Sequence, residues 1–79
     1  MVKVTFSNNA TKDVDVFDEN AVTPRQIFDD NGIDYGMGCI VSFNGMTLSA
    51  DEMDSTLKDL GAGETNTLAS LRKLDNAAV

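Results

Sequence analysis

The chain has no histidine and one cysteine, Cys39, among its 79 residues. A single cysteine cannot form an internal disulfide, and without histidine its thiol has no imidazole to activate it as a nucleophile. A small, partly buried apolar role is therefore the better interpretation of Cys39. One unpaired thiol and no disulfide are typical of a reducing compartment, so we expect a cytoplasmic location.

Long apolar runs are also missing. No segment approaches the roughly 20 consecutive apolar residues that a membrane helix needs. The opening residues, MVKVTF, alternate apolar with polar side chains, unlike the continuous apolar stretch of a signal peptide. We expect no membrane association, and one small domain, residues 1–74, followed by a short mobile tail, residues 75–79.

Basic residues are scarce: 6 Lys and Arg stand against 13 Asp and Glu, for a net charge of -7. Proteins that bind DNA or RNA directly neutralise phosphates with Lys and Arg, so direct nucleic-acid binding is not expected. Three explanations of the acidity remain open: plain solubility, a basic partner surface, or imitation of the charge of DNA.

Cofactor motifs are absent as well. Residues 13–20, DVDVFDEN, resemble a calcium loop, but Asp18 and Pro24 stand where an EF-hand needs glycine and glutamate. The glycine pairs in residues 36–38 and 61–63 do not continue into a phosphate-binding motif. We therefore expect no metal, no redox cofactor and no enzymatic activity.

The first half of the chain predicts a hairpin. Residues 2–6 alternate apolar and polar side chains, as a strand with one buried face does. Residues 7–10, SNNA, are typical of a turn. Residues 13–16 alternate again and predict a second strand, with Val14 and Val16 facing the core.

A helix is predicted next, over residues 24–31. Thr23 is placed as N-cap and Pro24 as first helical residue, while Gln26 completes a capping box. Gly32 follows as the residue that takes a positive φ at the helix end.

The second half predicts another hairpin and a last strand. Residues 39–43 are strand-like, Asn44-Gly45 is a strong hairpin signal, and residues 46–48 form the return strand. Ser49 and Glu52 are spaced to cap a further turn. The final element is ambiguous, because three leucines have helical spacing: Leu68, Leu71 and Leu74. We predict a strand ending near Leu74, since two hairpins otherwise leave the sheet without its central strand. The predicted core-facing residues of the sheet are Val2, Val4, Val14, Val16, Val41, Phe43 and Leu68.

This order of elements resembles the β-grasp of the ubiquitin-like superfamily. The resemblance is carried by Val2 and Val4, the helix, and the segments IVSFNGMTL, STLKDLGA and TNTLASLRKL. It implies an α+β fold in which a mixed sheet of four to five strands packs on one helix. One cysteine excludes the β-grasp ferredoxins, whose cluster needs four.

The end of the chain departs from that family. Ubiquitin-like modifiers and sulfur carriers act through a C-terminal Gly-Gly, where this chain has Asp75-Asn76 and then ends in Val79. We therefore expect the tail to carry no chemistry.

Ubiquitin-like domains commonly bind partners through the sheet face opposite the helix. Carried over to this chain, the predicted binding residues are Lys3, Thr5, Ser42, Met46, Thr67, Ala69 and Leu71. Ser42 replaces the central isoleucine of ubiquitin's patch, so ubiquitin's own receptors are not expected to bind. The leading hypothesis is a non-enzymatic adaptor for a protein partner, acting as a monomer or weak oligomer. The alternatives are an atypical carrier with a processed tail and an acidic inhibitor that mimics DNA.

Overall fold

A computed structural model describes residues 1–72. They form a small α+β domain with a five-stranded mixed sheet and one α-helix. The strands are β1 (Val2–Ser7), β2 (Lys12–Phe17), β3 (Cys39–Phe43), β4 (Met46–Thr47) and β5 (Thr65–Arg72). The helix α1 spans Pro24–Asp30, and a 3₁₀ turn spans Glu52–Asp54. The predicted tail, residues 75–79, and the predicted strand end near Leu74 lie outside the described residues.

The strands lie in the order β2-β1-β5-β3-β4. The first and last strands, β1 and β5, are neighbours at the centre and run parallel, while the other pairs are antiparallel. The prediction that the ambiguous last element is the central strand is therefore confirmed. This α+β architecture is compatible with the β-grasp that the resemblance implies.

The start of α1 follows two of the capping signals of the sequence, Thr23 and Pro24, while the reciprocal bond of the Gln26 side chain that would complete the capping box is not found among residues 1–72. The side-chain oxygen of Thr23 accepts a hydrogen bond from the backbone N–H of Gln26 at 3.2 Å. This bond satisfies one of the N–H groups that the first helical turn leaves without a partner. Pro24 follows at the first helical position, where its missing N–H costs nothing.

The helix ends one residue earlier than the predicted range, residues 24–31. Gly32 adopts a φ of +68°, and the N–H of Ile33 donates to the carbonyl of Phe28 at 2.9 Å. These two features form the Schellman ending that a glycine in this place predicts. The helix contributes Ile27 and Phe28 to the core.

The turn signal of the second hairpin is also confirmed, although the return strand is one residue shorter than the predicted range, residues 46–48. Asn44 and Gly45 have φ values of +51° and +86°, as a two-residue type I′ turn requires. After β4, the N–H of Ser49 donates to the carboxylate of Glu52 at 2.8 Å, and the N–H of Glu52 donates to the Ser49 hydroxyl at 3.3 Å. The side chains of Ser49 and Glu52 thus each accept a hydrogen bond from the backbone N–H of the other residue, as in a capping box.

The core lies between α1 and one face of the sheet. Its buried apolar residues are Val2, Val4, Phe6, Ile27, Phe28, Ile33, Val41, Phe43, Leu48, Met53, Leu57 and Leu68. Five of the seven sheet residues predicted to face the helix are among them. Two polar side chains, Asn66 and Ser70, are also buried on this side of β5. Within residues 1–72, every buried side-chain nitrogen and oxygen has a hydrogen-bond partner.

The prediction that Val14 and Val16 face the core is wrong. They pair with Thr5 and Lys3 of β1, which point away from α1, and both valines are about half exposed, at 50% and 49%. In their place Phe17 packs against the core, with its ring edge-to-face on Phe6 at 6.0 Å between centroids. No helix of the described residues has the length and apolar character needed to cross a membrane.

Candidate functional site: the open face of the sheet

The sheet has a second face, opposite α1, which we call the open face. Side chains alternate between the faces along a strand, and paired residues share a face, so strand register assigns each residue. The open face comprises Lys3, Thr5 and Ser7 of β1, Lys12, Val14 and Val16 of β2, Ile40 and Ser42 of β3, Thr47 of β4, and Thr65, Thr67, Ala69 and Leu71 of β5.

Six of the seven predicted binding residues lie together on this face. Thr5 and Thr67 are paired neighbours across the central strands, and Ser42 is paired with Ala69 across β3 and β5. The exception is Met46, which is 55% exposed but pairs with Phe43. Because Phe43 points into the core, Met46 lies on the helix side of the sheet edge.

The open face carries two pairs of exposed aliphatic side chains. Ile40 and Leu71 are directly paired across β3 and β5 and are 45% and 47% exposed. Val14 and Val16 form the second pair on β2. Three strand spacings, about 14 Å, separate β2 from β3, and the residues between them are polar or small. The face therefore offers two apolar contacts at opposite corners.

Charge is distributed unevenly between the two sides. Among residues 1–72, the open face contains no Asp or Glu, although the chain has 13 of them. The charged residues on this face are Lys3 and Lys12, both exposed. In a protein with a net charge of -7, the acidic side chains of residues 1–72 thus lie outside the strand positions of the open face.

Sequence reasoning missed Val14, Val16 and Ile40 as members of this face. A usable signal was present in the first hairpin, where the observed turn is residues 8–11 instead of residues 7–10. A four-residue turn in either frame places Val14 beside Lys3 or Thr5, on the face away from the core. Counting across the turn would therefore have assigned β2 correctly. Ile40 had no comparable signal, because it lies within the apolar run CIVSF.

The helix side holds the aromatic and ionic contacts. Phe28 stacks on Tyr35 at 5.6 Å between ring centroids, and the Arg25 guanidinium lies 5.4 Å from the centre of the Tyr35 ring. Arg25 also pairs with Asp54 at 2.7 Å, and hydrogen bonding to that carboxylate raises the pKa of Arg25. The Tyr35 hydroxyl donates to the Asp29 carboxylate at 2.7 Å, which raises the pKa of Tyr35. These contacts attach α1 to the loop that follows it and to the 3₁₀ turn.

Cys39 lies beside a surface cavity of about 230 Å³ between the first hairpin turn and the end of β5. Its thiol is partly buried, and its Sγ is 3.8 Å from the Asp34 carbonyl. The neighbouring polar groups bond within the chain: the Ser70 hydroxyl donates to the Asp34 carbonyl at 2.6 Å, and the Arg72 N–H donates to the Asn9 side chain at 2.7 Å. Residues 1–72 contain no group of three or more carboxylate or thiol side chains placed to hold a metal ion.

No protein-family model matches the chain, and comparisons with curated proteins and with solved structures found no significant match.

Proposed function

We propose that this chain is a ubiquitin-like β-grasp protein that binds another protein through the open face of its sheet and performs no catalysis itself. The support for the fold is its topology. The first and last strands run parallel at the centre, β1 forms a hairpin with β2 on its outer side, and the β3–β4 hairpin lies beside β5. In sequence, α1 lies between the two hairpins.

The observation that carries the binding proposal is the distribution of charge. In a strongly acidic chain, the open face has no carboxylate among residues 1–72 and exposes four aliphatic side chains. Burying an unpaired carboxylate in an interface is costly, and the centres of protein interfaces are depleted of charged residues. If the acidic residues served solubility alone, there would be no physical reason for them to be absent from one face of the sheet.

Leu71 is the best position for testing the proposal. It is 47% exposed, pairs with Ile40, and follows the small residue Ala69 on the open face of the central strand β5. A charge placed at such a position would have to be buried without a partner in any interface formed by this face, which is costly. Met46 offers a matched control, because it is an exposed apolar residue on the other side of the sheet.

The experiment begins with a photo-crosslinking residue at Thr67, at the centre of the open face, and in a second variant at Asp59, which lies outside that face. A partner crosslinked from Thr67 and not from Asp59 is then measured against the Leu71→Asp and Met46→Asp variants. We expect Leu71→Asp to weaken binding by about tenfold or more and Met46→Asp to leave it within about twofold.

The reverse pattern would place the binding surface on the helix side and contradict the proposal. A partner that requires the acidic residues, and whose affinity falls steeply with added salt while Leu71→Asp has no effect, would instead favour a DNA-mimicking inhibitor.

A further inference from the structure

The outer edge of β2 has backbone groups that no strand of the described residues pairs with, because β2 is the first strand in the order of the sheet. The N–H groups of Val14 and Val16 donate to the side chains of the preceding residues, Asp13 and Asp15, each at 2.8 Å. Hydrogen bonds to β1 alternate along an antiparallel strand, so these two N–H groups point outward. The carboxylates of Asp13 and Asp15 therefore accept the hydrogen bonds of these two edge N–H groups.

The edge has a different character on its two sides. Val14 and Val16 belong to the open face and are half exposed. Asp13 and Asp15 pair with Phe6 and Val4, so they lie on the helix side, where both are exposed. An extended segment added beside β2 meets aliphatic and acidic side chains in alternation.

A second copy of this chain does not fit this edge. Two β2 strands paired through the outward groups of Val14 and Val16 place Asp13 and Asp15 opposite the same residues of the other copy. Like charges directly across a strand pair are destabilising. Unpaired edges promote association between identical chains, and acidic residues here oppose it.

We propose that the edge of β2 binds an extended segment of another protein in which Lys or Arg alternates with aliphatic residues. Each basic side chain pairs with Asp13 or Asp15 and draws the carboxylate away from the edge N–H. The backbone carbonyl of the incoming strand then accepts that N–H, so hydrogen bonds are exchanged without a net loss. The aliphatic residues of the segment pack beside Val14 and Val16.

The charge of the whole chain favours the same occupant. With a net charge of -7, the protein attracts basic segments and repels acidic ones before contact. The proposed contact uses the sheet edge and backbone pairing, so it goes beyond the open-face function and does not involve Leu71 or Ile40.

The test uses synthetic peptides of the length of β2, six residues. One alternates lysine with valine. The second has the same composition with its lysines adjacent, and the third alternates glutamate with valine. Each is titrated into the isotope-labelled full chain while amide shifts and amide exchange are recorded. We expect the alternating Lys/Val peptide to give saturable shifts in residues 12–17 and to slow exchange of the Val14 and Val16 amides.

The regrouped peptide should bind about tenfold more weakly, since it cannot place its lysines and valines on the correct sides together. The Glu/Val peptide should not bind at concentrations on the order of 1 mM. Equal affinity for both lysine peptides would mean that net charge alone drives binding, and would overturn the proposal. Binding without slower exchange of the Val14 and Val16 amides would overturn it as well. So would dimerisation of the unmodified chain through β2.

Two charge-matched double variants complete the test. Asp13→Asn with Asp15→Asn keeps a side-chain oxygen for the edge N–H groups but removes the ion pairs, and should weaken binding several-fold. Asp30→Asn with Asp59→Asn changes the net charge equally at exposed sites away from β2. This second pair should leave the affinity for the peptide unchanged. An equal effect of both double variants would count against the proposal. Leu71→Asn, which makes the open face polar without changing the net charge, should leave peptide binding unchanged, so failure here is separable from failure of the open-face function.

Discussion

The side-chain amide of Asn44 donates a hydrogen bond to the side-chain oxygen of Asn66 across 2.9 Å. Asn66 is 4% exposed in the central strand β5. Its own amide donates to the carbonyls of Lys3 and Gly63 at 3.1 and 3.0 Å, and its oxygen also accepts the Gly63 N–H at 2.8 Å. One buried amide therefore connects β1, the loop before β5 and the turn between β3 and β4.

Asn66→Ala should destabilise the domain by roughly 2–3 kcal/mol, because it leaves several buried backbone and side-chain groups without partners. Denaturant unfolding of the variant and the unmodified chain measures this difference. Asn20→Ala is the control, since Asn20 is exposed and should change stability by less than about 0.5 kcal/mol. A loss for Asn66→Ala as small as that of the control would mean that water replaces the amide.

Leu68 and Leu71 test the register of β5. Leu68 is fully buried and pairs with Phe43, whereas Leu71 is on the open face. We expect Leu68→Ala to cost about 2–5 kcal/mol and Leu71→Asp to leave the fold intact, with a change under about 1 kcal/mol. Thermal unfolding of both variants decides this. If Leu71→Asp unfolds the protein, the register of β5 differs by one residue from the one described here, and the buried and open faces of this strand are exchanged.

Gly32 tests the end of the helix. Its φ is +68°, and a Cβ built there contacts nothing within 4 Å, so an alanine is disfavoured by backbone conformation alone. Gly32→Ala should cost about 1–2 kcal/mol. Gly63→Ala is a matched control, because its Cβ also has open space but no positive φ is found there. The control should be neutral or stabilising by up to about 1 kcal/mol. Equal effects in the two variants would argue against a left-handed Gly32.

Tyr35 is the only tyrosine of the chain, so an absorbance titration of tyrosinate reports it alone. Its pKa is raised above the ordinary value of 10.0, mainly because the hydroxyl donates to Asp29. The folded state therefore favours the neutral phenol. This contribution to stability is complete below about pH 10 and is lost as the pH rises through the raised pKa.

The Asp29→Asn variant should lower the pKa of Tyr35 toward 10.0, since it removes the charged acceptor. Asp30→Asn changes the same charge on the neighbouring residue and should leave the titration close to that of the unmodified chain. Titration of the unmodified protein at or below the ordinary value would contradict the hydrogen bond to Asp29.

Local signals in the sequence were sufficient for the second hairpin turn and for the helix, apart from its last residue. Thr23, Gly32 and the Asn44-Gly45 pair act within four residues of themselves, through hydrogen bonds and allowed φ values that depend little on the rest of the chain. The alternation in β1 was also enough to identify Val2 and Val4 as core residues, because only one face of this strand is apolar.

Other features depended on contacts between distant segments. Whether the valines or the aspartates of β2 faced the core was decided by hairpin register and by Phe17, which fills the place next to Phe6. Asn66 is polar, and its burial is favourable only because groups from three separate segments meet it.

The sequence by itself determined the kinds of elements, their order and the acidic character of the chain. Only the tertiary structure decided which face β2 turns to the helix, and so that Asp13 and Asp15 lie on the helix side and leave the open face of residues 1–72 without carboxylates. The physical reason is the two-residue period of a strand: its pattern shows two faces, and pairing with neighbouring strands and packing against α1 choose between them.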